Sequence, residues 1–130
     1  MTIAAVRRYC LAKPGTIFED FPFGEETLVI KVFGKAFLLS DLTRHPPAMN
    51  LKCEPARALE LRARYDAVLP GYHMNKKHWN TVVLDGSIPP QEILAMIDHS
   101  FEEVVRGLKR TERAKVLGIR SSKRQREKIR

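Results

Sequence analysis

The stretch TLVIKVFGKAFLLS, residues 27–40, limits the fold more than any other. β-Branched and aromatic residues crowd both sides of a single Gly-Lys step, a composition that suits pleated strands and disfavours helix. A two-residue loop at Gly34-Lys35 makes the stretch a hairpin, with Gly34 supplying the positive φ that a type II′ turn needs at its first central position. That register pairs Val32 with Phe37 and Ile30 with Leu39 on one face, and leaves Val29, Lys31, Phe33, Leu38 and Ser40 on the other. Both faces are largely apolar, whereas a two-layer fold covers only one with helices. Val29, Phe33 and Leu38 are therefore the candidate surface for a homodimer or a protein partner, as in a chaperone-like interaction module.

Around the hairpin, helical and extended patterns alternate. Thr2 can cap a short helix whose Ile3, Val6 and Cys10 fall on one side, ended by Lys13-Pro14-Gly15. TIFEDFPFG reads as a short strand and an aromatic turn; AMNLKC alternates, with Met49, Leu51 and Cys53 on one side. Pro55 suits a first helical position, and Ala58, Leu61, Tyr65 and Val68 follow as a stripe that Pro70-Gly71 halts. WNTVVL is another strand and Asp85-Gly86 a turn. A last helix starts at Pro89 or Pro90, with Ile93, Leu94, Ile97, Phe101, Val104, Val105 and Leu108 on one buried face. The expected fold is α+β in two layers, an antiparallel sheet with helices packed on one face, in the order α-β(3–4)-α-β(2)-α. It occupies residues 1–108. A basic tail, partly helical or disordered, occupies 109–130, and removing it is expected to leave a folded domain.

The formal net charge of +8 is unevenly placed. Residues 106–130 hold 11 Lys or Arg against 2 Glu, a local +9, while residues 1–105 hold 12 basic and 13 acidic residues, a local −1. The basic character therefore belongs to the tail and says little about the folded part. No apolar run reaches the length of a membrane span. The arginine pair in MTIAAVRRYCLAK stands where a signal peptide needs its apolar stretch, so a cytoplasmic location is expected. Cys10 and Cys53, far apart among apolar neighbours, read as buried free thiols.

The segment GYHMNKKHWN, residues 71–80, concentrates two of the four histidines, the single tryptophan and a lysine pair. Extended to LPGYHMNKKHWNTVVLDGSIP and taken with DFPFG, MNLKC and IDHSFEEVV, it resembles the MmcQ/YjbR family over residues from about Tyr9 to Leu108. The resemblance implies a small two-layer α/β domain, grouped with CyaY-like and secretion-chaperone-like folds. It also implies DNA binding, the label the family commonly carries, and no established enzymatic activity.

Three chemistries compete for residues 71–80. His73 and His78 are five positions apart, which points them to opposite faces of a continuous strand, and no third ligand is at hand, so no metal or cofactor is expected. Cys10, Cys53, Ser40 and Ser87 lie in no nucleophile motif, and no glycine-rich phosphate loop exists, so no catalytic residues are assigned. Nucleic-acid contact fits better. Lys76 and Lys77 can meet phosphates at a hairpin tip, while Tyr72, His73, His78 or Trp79 can stack on a base. The tail would add phosphate contacts through Lys109, Arg110, Arg113, Lys115, Arg120, Lys123, Arg124, Arg126, Lys128 and Arg130. The expected function is non-enzymatic, nonspecific binding of DNA or another nucleic acid.

Overall fold

The computed structural model describes residues 1–72 and 74–118. Its elements run α1 (Ile3–Leu11), β1 (Ile17–Asp20), β2 (Thr27–Val32), β3 (Lys35–Asp41), β4 (Ala48–Lys52), α2 (Pro55–Arg64), β5 (Val68–Pro70), β6 (Trp79–Val83) and α3 (Pro90–Arg106). Residues 110–118 form a further helix, α4. The six strands make one antiparallel sheet in the order β1-β2-β3-β4-β6-β5. This is the α+β order expected from the sequence.

Helices α1 and α2 start where the sequence supplies caps. Thr2 Oγ1 accepts from Ala5 N at 3.1 Å at the start of α1, and the Glu54 carboxylate accepts from Ala56 and Arg57 N at the start of α2. One sheet face carries Leu28, Ile30, Val32, Leu38, Met49, Leu51 and Val82, which join Ile93, Met96, Ile97 and Phe101 of α3 and Val6 and Cys10 of α1 in one core. Phe37 and Phe101 meet edge to face, 5.3 Å apart. Ser100, buried on α3, donates to Phe37 O at 2.6 Å and accepts from Lys52 N at 2.9 Å, fastening the helix to β3 and β4.

The hairpin differs from its expected register. Its turn residues are Phe33 and Gly34, both at positive φ (46° and 79°), so Val32 pairs with Lys35 as in a type I′ loop. A bulge between Ile30 and Lys31 then brings Ile30 opposite Leu38 and Val29 opposite Leu39. Leu38 therefore faces the helices and is fully buried. Val29 lies on the opposite face but is only 2% exposed, and Phe33 is half-buried in the turn. The three do not form an exposed surface, and the apolar partner face drawn from sequence does not exist as such.

Two boundaries also move. α2 ends at Arg64, Tyr65 is extended (φ −125°, ψ 122°), and Val68 belongs to the edge strand β5. The packed unit also runs past Leu108. Val116 of α4 is 0% exposed within the core cluster, whereas Leu117 beside it is 57% exposed. Ile119, the third apolar residue of the tail, lies outside the described residues.

Candidate nucleic-acid interface

The connection 71–78 between β5 and β6 is a built loop. Gly71 is buried against Trp79, and a Cβ there would meet Trp79 Cβ at 2.9 Å and Trp79 O at 3.0 Å, so the backbones approach at a distance only glycine allows. Asn75 Oδ1 accepts from Lys77 N at 3.0 Å, and His78 N bonds Asn75 O at 3.1 Å. Arg62, on α2, holds the loop from below. Its Nε donates to Asn80 Oδ1 at 2.7 Å, and its Nη2 donates to the carbonyls of Lys76 and Trp79. Asn80 is itself buried, with Nδ2 on Ala58 O of α2.

This scaffold presents Tyr72, 60% exposed, with Lys76 Nζ 5.4 Å from its ring centroid. Lys76 and Lys77 are exposed. His78 is half-buried and its carbonyl accepts from Cys53 N at 2.8 Å, which gives it a structural role. His73 lies outside the described residues. In the tail, Lys109, Arg110, Arg113 and Lys115 are exposed, the last three on α4. Arg120, Lys123, Arg124, Arg126, Lys128 and Arg130 lie outside the described residues.

Strand direction brings the two basic elements to one end of the sheet. β2 ends there at Val32, β4 at Lys52 and β5 at Pro70, while β6 begins there at Trp79. The 71–78 loop leaves from that end. α4 docks at it too, since a Cβ on Gly15 would sit 3.1 Å from Val116 and 3.2 Å from Phe33.

The face without helices carries what sequence reasoning missed. There Lys52 pairs with Trp79, Asn50 with Thr81 and Ala48 with Val83. The Thr81 hydroxyl donates to Asn50 Oδ1 at 2.6 Å. Of these, Ala48, Asn50 and Thr81 floor a cleft of about 380 Å³, walled by Tyr72 and Leu69 on one side and by Asp41 and Arg44 on the other. Asn50, Thr81 and Arg44 had no signal in the chain's order, because only the pairing of β4 with β6 brings them together.

Other reactive groups are otherwise engaged. Burial pushes the Cys10 thiol up to about 12 and the Cys53 thiol up to about 11, away from the thiolate. Ser40 donates to Ala48 O at 2.7 Å inside the sheet. Glu19 takes two hydrogen bonds from Arg7, which hold its carboxyl below the usual range. Asp20 pairs with Lys31 at 2.6 Å. Among the described residues, no three His, Cys, Asp or Glu side chains come together as a metal site, and no helix is long and apolar enough to cross a membrane.

The family model described as YjbR matches residues 11–103. The chain belongs to the YjbR family. It is 37% identical over 108 residues to protein YjbR of Escherichia coli (strain K12), covering 81% of this chain and 88% of that protein. Protein YbdF of Escherichia coli O157:H7 is 40% identical over 96 residues, 74% of this chain and 79% of the relative. The crystal structure of Deinococcus radiodurans protein DR2400 superposes with a TM-score of 0.81 at 38% identity, covering 88% of this chain and 87% of the other. The YjbR match contains β6, the 71–78 loop and the floor of the cleft, and it ends before α4.

Proposed function

We propose that this YjbR-family protein is a non-enzymatic, cytoplasmic nucleic-acid binder that grips phosphates without reading sequence. One observation carries the reading: the Lys76-Lys77 loop and the basic α4 leave from the same end of the sheet. Two lysines alone are an ordinary solvated loop tip, and a charged tail alone is an ordinary extension. At that end the loop leaves between β5 and β6 while α4 packs by Gly15 and Phe33 near β1 and β2, so a nucleic-acid backbone engaging both would cross the end of the sheet. A rigid loop loses little entropy on binding, and the charges beyond it add affinity through counterion release. The deprotonation-resistant thiols and the engaged Ser40 support a role without nucleophilic chemistry.

The test is affinity for nonspecific duplex DNA across a salt series. Some five phosphate contacts give a slope of log affinity against log salt of about −4 to −5, at about −0.9 per contact. Removing residues 119–130, which leaves Val116 in place, should flatten the slope by about two or more, and Lys76→Ala with Lys77→Ala by up to about two. Absence of binding to duplex or single-stranded nucleic acid at low salt would refute the proposal.

A further inference from the structure

We propose that the cleft on the helix-free face is a nucleotide site. A single base, free or within a strand, lies against Tyr72 with its phosphate toward Lys76. In its strand-bound form the inference rests on the nucleic-acid reading above. In its free-nucleotide form it stands alone.

The cleft has the parts such a ligand needs, drawn from β4, the loop after β3 and the 71–78 loop. Tyr72 offers an exposed ring beside a concave surface, and base–aromatic stacking is tolerant of sequence because every base has a π-face. The floor offers Asn50, whose Oδ1 is fixed by Thr81, leaving its amide nitrogen to donate to a base edge. Arg44, exposed on the loop after β3, and Lys76, within 5.4 Å of the Tyr72 ring, supply positive charge on either side. At about 380 Å³ the cleft is of small-molecule size, fit for one extruded base and not for a paired duplex.

Asp41 argues against a simple anion hole. Its carboxylate lines the same cleft, where it would repel a bare phosphate dianion, but its Oδ1 is engaged by the Thr43 N–H and hydroxyl at 2.9 and 2.7 Å. A ligand whose base stacks on Tyr72 with its edge to the floor, and whose phosphate stays with Lys76 away from Asp41, meets this constraint.

The experiment compares a short single strand with its duplex by fluorescence anisotropy, using wild type, Tyr72→Ala and Tyr72→Phe. AMP and inorganic phosphate are followed separately through emission of Trp79, the single tryptophan. Tyr72→Ala should weaken single-strand binding by about 10- to 100-fold and duplex binding by several-fold less than that, while Tyr72→Phe keeps most of the affinity. AMP should quench Trp79 in wild type but not in Tyr72→Ala, and inorganic phosphate should not quench. Tyr72 is largely exposed, so the variants should melt with wild type. An equal loss on both strand forms, or no loss on either, would overturn the nucleotide site, as would quenching by phosphate alone. If neither nucleic acid binds but AMP quenching depends on Tyr72, the site stands for a free nucleotide and the nucleic-acid function falls.

Discussion

Val116 decides where the folded unit ends. Val116→Ala removes two methyl groups from a side chain with no solvent exposure, packed beside Gly15, Val32 and Phe33. At about 0.8 kcal/mol per methyl-sized group, plus a share for the space left behind, the cost is about 2 kcal/mol. For a chain of this length that lowers Tm by about 6–8 °C. Cutting the chain after Leu108 removes the whole of α4 and uncovers Val32 and Phe33, so it should cost at least as much. Leu117→Ala is the internal control, because Leu117 is 57% exposed and its removal should change stability by less than about 0.5 kcal/mol. Urea unfolding followed by circular dichroism measures all four proteins. If Val116→Ala and the cut chain melt with Leu117→Ala, α4 is not docked, and the domain ends at residue 108 after all.

Two other perturbations probe the scaffold under the site. Arg62→Met should cost about 2 kcal/mol, since it strands the buried Asn80 carbonyl, and should speed amide exchange across 74–78. Unchanged exchange would show that the loop holds its shape without Arg62. His99 should make the protein less stable in mild acid. Its Nε2 accepts from Glu54 N at 3.1 Å, and burial, aided by Arg57 and against the pull of Glu103 and Glu102, lowers its pKa below the usual 6.5. The neutral ring is thus favoured in the folded state, so its contribution is complete above the unfolded pKa and declines as pH falls below it. His99→Gln should flatten the fall in urea midpoint between pH 7 and 5, and an unaltered pH dependence would assign that fall to other groups.

The fold class was legible because the strong signals are local. Thr2, Pro55 and the α3 stripe mark helices by capping chemistry and period, and the hairpin's composition admits little but strand. Register was not legible, because packing outranked turn chemistry. A phenylalanine at φ 46° is costly, and glycine at the first loop position is the ordinary choice, which is why Gly34-Lys35 looked right. The ring of Phe33, packed against the core beside Gly15 and Val116, makes that backbone tolerable. The position of β5 was hidden for a related reason. Val68 continues the helical spacing of α2, and only its pairing with Val82 shows that it is extended. In the site, Tyr72 and the lysines stood out by type. Arg62 was not singled out, because its partners Lys76, Trp79 and Asn80 lie 14 to 18 residues on, and the Asn50–Thr81 pair needed two strands 31 residues apart to meet.

The open sheet leaves two margins, and their makeup bears on self-association. Unpaired strand edges invite a further chain to add by backbone hydrogen bonds, the route to sheet-to-sheet aggregation. At one margin β5 offers three residues and closes on Pro70, which has no N–H to give, followed by a buried Gly71. At the other, β1 offers four residues and ends in Glu19 and Asp20, both held in ion pairs. An added strand would find a short run of donors at either margin before meeting proline or bound charge.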